Sequence, residues 1–215
     1  MWDAAKNSWS GHEWDSADPW QPTYYGARNW GLPESKADDP SRWYHEGKGS
    51  FEASVNPLFK KLPNANEMAW YVLKGDAHWD ESTQWEAFGT THTGGIWLKK
   101  LSVIAKENGK EPAALKLKDP KGNDLRASYH YYSTSPASGK PADSVIDKYF
   151  FLPALGYYNS TLNHLGLQGY YWSSSADPSN IIDEVSFAYI LLFGSGTVEV
   201  HSEARNYVFV AQPFE

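Results

Sequence analysis

The chain of 215 residues has no cysteine, so disulfides, thiolate metal sites and a cysteine nucleophile are excluded. It is short of positive charge, with 19 Lys and Arg against 26 Asp and Glu and a formal net charge of -7. No basic run stands out, so the electrostatic footprint of a nucleic-acid binder is missing and no nucleic-acid partner is expected. The acidic balance suits a surface-exposed protein. No apolar stretch approaches the roughly 20 residues of a membrane helix, so no membrane span is expected. No leader segment precedes Trp2, which makes the chain read as part of a longer protein.

Aromatic residues are what the chain has in excess: eleven Trp, fourteen Tyr and nine Phe, 16% of the total. Large aromatics build a core where helices are few. They also form binding faces, because Tyr and Trp supply rigid contact area at low entropic cost.

Residues 1–62 are rich in Trp, Pro, Gly, Asp and Ser. The prolines at Pro19, Pro22 and Pro40 rule out a long helix there. This part reads as irregular structure pinned by aromatic anchors. The strongest helix signal is Pro63 to Gly75: an Asn can cap the start, Gly75 can stop it, and Met68, Tyr71 and Val72 share one face. A second short helix is expected from Glu81 to Phe88, ending at Gly89. Residues 106–125 are polar and read as an exposed excursion. From Lys148 onward the texture is short strands and turns. Tyr149-Phe150-Phe151-Leu152 is a buried-strand candidate. Ala188–Phe193 and Thr197–His201 are expected to form a hairpin through Gly194-Ser195-Gly196, with Asn206–Ala211 as the last strand. No repeat or low-complexity linker divides the chain, so residues 1–215 are expected to form one domain, with an irregular segment at 1–62 and a strand-rich segment at 148–215.

Several blocks are distinctive in order and content: Phe151-Leu152-Pro153-Ala154-Leu155-Gly156-Tyr157-Tyr158, Gly169-Tyr170-Tyr171-Trp172-Ser173-Ser174-Ser175, Ala188-Tyr189 and Arg205-Asn206-Tyr207-Val208-Phe209. With Leu62 to Met68, Trp43-Tyr44 and Gly95 to Lys100, they resemble the FISUMP and fimbrillin C-terminal domain group of gut-type bacteria. That group is similar to the variable proteins of diversity-generating retroelements. The resemblance implies an α+β, C-type-lectin-like domain with two short helices and a mixed, largely antiparallel sheet with much irregular loop. It implies an adhesin-like domain of a surface or fimbrial protein, at the cell surface or secreted, that recognises a protein or glycan on a host or bacterial surface. The alternative is a structural fimbrial subunit that uses the same face for assembly. The sequence departs from the group at Val208, where Gly is usual, and at Val210, Ala211 and Gln212, where Arg or Gly is common.

No enzymatic role is expected. The related formylglycine-generating enzymes depend on cysteine and copper, and this chain has no cysteine. The calcium-ligand motifs of calcium-dependent lectins are missing, and the seven His are scattered without metal spacing. No metal and no cofactor are therefore expected. Ser173-Ser174-Ser175 lies outside any nucleophile elbow and reads as hydroxyls that satisfy backbone groups.

Strand parity assigns a candidate face. With Tyr189, Leu191 and Phe193 pointing inward, Ile190 and Leu192 point outward. With Val198 and Val200 inward, Glu199 and His201 face out. With Tyr207 and Phe209 inward, Val208 and Val210 face out. The loop residues Ile181, Ile182 and Asp183 join them, giving a ligand-binding face of nine residues. An apolar cluster with a polar rim is the usual look of a contact site. The competing reading is that a loop or the aromatic N-terminal segment covers this face. The expected core includes Leu152, Trp172, Leu191, Val200 and Phe209.

Overall fold

The computed structural model describes residues 61–87, 89–159, 161–178, 187–204, 207 and 209–215. In chain order the elements are α1 (Ala65–Lys74), β1 (His78–Asp80), β2 (Trp85–Ala87), β3 (Thr90–His92), β4 (Gly95–Lys99), α2 (Leu101–Glu107), α3 (Pro112–Leu115), β5 (Tyr132–Thr134), β6 (Ala137–Ser138), β7 (Tyr149–Pro153), β8 (Tyr157–Asn159), β9 (Thr161–Asn163), β10 (Gln168–Ala176), β11 (Phe187–Gly194) and β12 (Val198–Ala204). The architecture is α+β. One four-stranded sheet has the order β6-β1-β4-β7 and a second the order β10-β11-β12-β5. Every pairing in these sheets is antiparallel except β1 with β6. No helix of the described residues is long and apolar enough to cross a membrane.

The local chemistry of α1 explains why it starts where it does. Asn64 Oδ1 accepts the Glu67 N–H at 3.0 Å, and the Glu67 carboxylate accepts the Asn64 N–H at 2.8 Å. This reciprocal capping box satisfies two of the otherwise orphaned donors of the first turn. The helix from Ala65 to Val72 is buried all round. It is therefore a central helix rather than a surface one, packed on β5, β10, β11 and β12 and touching β4, α2 and α3.

The expected helix over Glu81–Phe88 does not form. The Asp80 carboxylate accepts the N–H and hydroxyl of both Ser82 and Thr83, which turns the chain. Trp85–Ala87 then pairs with Thr90–His92 as a hairpin, and Trp85 Nε1 donates to the Gly94 carbonyl. A short Asp-initiated turn outcompetes a helix that lacks propagating length. One helix thus precedes residue 90 among the described residues, not two, and α2 and α3 lie beyond it. The polar stretch 106–125 is exposed for the most part but is anchored by Leu115 and Leu125, both fully buried.

Over β10 and β11 the second sheet is buried on both faces. Tyr171, Tyr189, Leu191, Phe193, Val198 and Val200 join α1, β4 and β7 in the main core. On the opposite face Tyr170, Trp172, Ala188 and Ile190 pack with Leu62, Phe209 and Ala211 in a second aromatic cluster. Leu152, Trp172, Leu191, Val200 and Phe209 are all buried, as expected. Gly169 is required where it stands, because a Cβ there would run into the Phe193 ring of the neighbouring strand.

The C-terminal segment differs from the strand expected over Asn206–Ala211. Asn206 and Val208 lie outside the described residues, and the pairing consists of one parallel bridge, Tyr171 with Val210. Trp172 N–H donates to the Val210 carbonyl at 2.8 Å and Val210 N–H to the Tyr170 carbonyl at 2.9 Å. The tail thereby covers the free edge of β10. Its last aromatic, Phe214, reaches the rings of Tyr71, Phe150 and Tyr171.

Candidate functional site

Of the nine expected face residues, Ile181, Ile182, Asp183 and Val208 lie outside the described residues. Ile190 and Val210 are not at the surface. Ile190 is fully buried between Trp172 and the second cluster, and Val210 is buried in the main core beside Tyr171. The parity of β11 was right, but the side taken for the solvent face is occupied by aromatic side chains. For the tail, Phe209 is buried in the second cluster, and Val210, expected to face outward, is buried in the main core.

The remaining three residues stay together. Leu192 pairs with Glu199 and Ile190 with His201 across β11 and β12. Leu192 is half-buried against the second cluster, while Glu199 and His201 are partly exposed on the same face. The outer face of this sheet is thus split, closed over β10 and β11 and open over β12 and β5.

The open half gains residues that parity at the C-terminus could not name. The β12–β5 ladder runs to Val200 opposite Tyr132. Just beyond it Tyr131 lies edge-on to His201, with ring centres 6.3 Å apart. Tyr131 is 50% exposed and Tyr129 42% exposed, unusual for tyrosines on a sheet margin. Tyr129 stacks on Tyr189 from the core strand, so its ring is braced from below. Burial, then the carboxylate of Asp177, raises its hydroxyl pKa. The signal was present in Ser128-Tyr129-His130-Tyr131-Tyr132-Ser133, where Tyr129, Tyr131 and Ser133 alternate with the inward Tyr132.

Polar groups along this strip are tied to one another. Glu199 Oε1 accepts the Thr197 hydroxyl at 2.7 Å, and that hydroxyl lies 3.1 Å from Ser133 Oγ. His201 Nδ1 sits 3.2 Å from the Ser202 carbonyl and 4.0 Å from Glu203. Its Nε2 is buried and has no hydrogen-bond partner among the described residues.

Among the described residues no group of three His, Asp or Glu could hold a metal ion. Ser173, Ser174 and Ser175 are buried. Ser175 Oγ accepts the Ala65 N–H, Ser173 Oγ donates to the Ser175 carbonyl, and the Ser174 N–H donates to the Pro63 carbonyl. These groups fasten β10 to the start of α1. No family model matches the chain, and no curated protein or solved structure matches it either.

Proposed function

We propose that this chain is a C-type-lectin-like, adhesin-type ligand-binding domain of a bacterial surface or fimbrial protein, and that it contacts a protein or glycan partner through the strip formed by Tyr131, Glu199 and His201. The observation that carries the reading is Tyr131 beside His201. A half-exposed aromatic stands edge-on to a partly exposed histidine at the margin of a sheet that is packed on both faces over β10 and β11. Rigid aromatic anchors with polar neighbours, held by a packed scaffold, are the ingredients of an interface hot spot. The resemblance of Gly169 to Ser175 and of the flanking blocks supports the fold part of the reading. In support of it, the blocks Phe151–Pro153, Gly169–Ser175 and Ala188–Tyr189 all occupy sheet strands around one core.

Probing protein and glycan arrays with the purified domain tests the proposal. Specific binding that is lost on Tyr131→Ala supports it. A domain that binds nothing and self-associates at micromolar concentration through the same strip would favour the fimbrial-subunit alternative.

A further inference from the structure

A cleft of about 890 Å³ opens where four segments of chain converge. Its walls are Trp79 and Glu81 at the end of β1, the Thr93-Gly94 turn, the turn from His164 to Gln168, and the hairpin Gly194 to Thr197. Its volume falls within the range of about 300–1,000 Å³ that small-ligand sites occupy.

The floor is held by backbone rather than by flexible side chains. Gly94 has φ +89° and packs so closely on Gly166 that a Cβ would collide with the Gly166 carbonyl. Gly166 N–H donates to the Ala154 carbonyl at 2.7 Å, and Ala154 N–H donates to the Gly94 carbonyl at 3.0 Å. Gly194 N–H closes the hairpin onto the Thr197 carbonyl at 2.9 Å. Turns interlocked in this way lose little freedom when a ligand arrives, which favours binding.

The lining selects the ligand chemistry. Among the described residues no Lys or Arg lines the cleft; Glu81 is the one carboxylate there and His164 the one histidine. An anionic ligand would meet that carboxylate in a chain of net charge -7, with no Lys or Arg among the described lining residues to offset it. A purely apolar ligand would strip water from Glu81, Gln168, Ser195 and Thr197 without replacing its hydrogen bonds. Glu81 Oε1 accepts the Trp79 indole N–H at 3.2 Å, and its second oxygen is available as an acceptor. The Gln168 side-chain oxygen accepts the Tyr170 hydroxyl, so its amide nitrogen is the group offered to a ligand. Beside these groups Leu167 stands 65% exposed, an apolar rim next to donors and acceptors. Hydroxyls in number, no charge and one apolar face describe a sugar ring.

We infer that this cleft binds a neutral oligosaccharide. The cleft meets the strip at Thr197, whose hydroxyl donates to Glu199, but Tyr131 and His201 are not among its described lining residues. Titration of the full chain by calorimetry with maltotriose, cellotriose, chitotriose and mannotriose, and with trigalacturonate as the charged control, tests it. At least one neutral trisaccharide is expected to bind saturably at millimolar concentration or below, and trigalacturonate is expected not to. Gly196→Trp is the decisive variant. Gly196 lines the cleft and a Cβ there meets nothing within 4 Å, so a bulky side chain can be added at the cleft wall without a clash at its root. It should abolish binding while Gly196→Ala leaves it intact. Glu81→Ala and Gln168→Ala should each weaken binding by about tenfold, the worth of one good hydrogen bond. Tyr131→Ala should have no effect. Binding of none of the neutral sugars overturns the inference, as does binding that survives Gly196→Trp or equal binding of trigalacturonate. Binding lost on Tyr131→Ala but not on Gly196→Trp would move the sugar to the strip, overturning the cleft and keeping the ligand-binding reading.

Discussion

Trp172 and Ile190 face one another across β10 and β11, and both are fully buried on the side of the sheet opposite Tyr171 and Leu191. The C-terminal sheet is therefore a middle layer, with α1 and the main core on one side and a smaller aromatic cluster on the other. Among the described residues, the side of the sheet that holds this second cluster is left uncovered at the margin of β12 and β5.

Substitutions at two positions on one face of β11 and β12 should separate buried from open sites. Ile190→Ala removes packed methylenes from a site with no exposure and is expected to cost about 2–5 kcal/mol. Glu199→Ala, on the same face one strand away, should stay within about 0.5 kcal/mol. Urea denaturation of both variants measures this. A small effect at Ile190 would mean that the second cluster is not packed.

Trp172 combines full burial with an indole N–H that has no partner among the described residues. Trp172→Ala should cost about 3–5 kcal/mol by opening a cavity. Trp172→Phe should cost less than half as much, because it keeps a ring in place and removes a buried donor whose desolvation costs about 1–3 kcal/mol. Equal losses in the two variants, read from chemical unfolding, would show that the N–H is satisfied in solution.

Acid should weaken the fold through Asp80 and Asp124. Burial acts to raise both carboxyls, but hydrogen bonds outweigh it. Ser82, Thr83 and Trp97 hold Asp80 well below the ordinary carboxylate range, and Arg126 and Asn66 hold Asp124 at about 2. A folded pKa below the unfolded value means that the stabilisation is present above about pH 4 and is lost as pH falls towards about 2. Asp80→Asn and Asp124→Asn should each lower stability at neutral pH and flatten its decline between pH 4 and pH 2. An undiminished decline in the double variant would place the acid sensitivity elsewhere.

The parts of the fold written in local chemistry were legible. Asn64, Glu67 and Gly75 mark α1, Gly194-Ser195-Gly196 marks the β11–β12 turn, and the run Tyr149–Leu152 marks β7. What covers a strand face was not legible. Alternation separates Ile190 from Leu191, but cannot say that Leu62 and Phe209, remote in sequence, pack over Ile190. Glu81–Phe88 failed for the opposite reason. It is too short for periodicity to decide, and one carboxylate, Asp80, sets its path. Half of the candidate site came from period-two reasoning at Glu199 and His201. The other half, Tyr129 and Tyr131, lay in a polar stretch whose alternation had not been followed.

The measurement that tests the central reading most directly is the melting temperature and ligand affinity of Tyr131→Ala, measured together against a partner identified on the arrays. Tyr131 is half exposed and outside both cores. Its loss should therefore leave melting nearly unchanged while weakening binding by tenfold or more, as expected of a central aromatic anchor. Unchanged affinity with intact melting would contradict the account and place the binding face elsewhere.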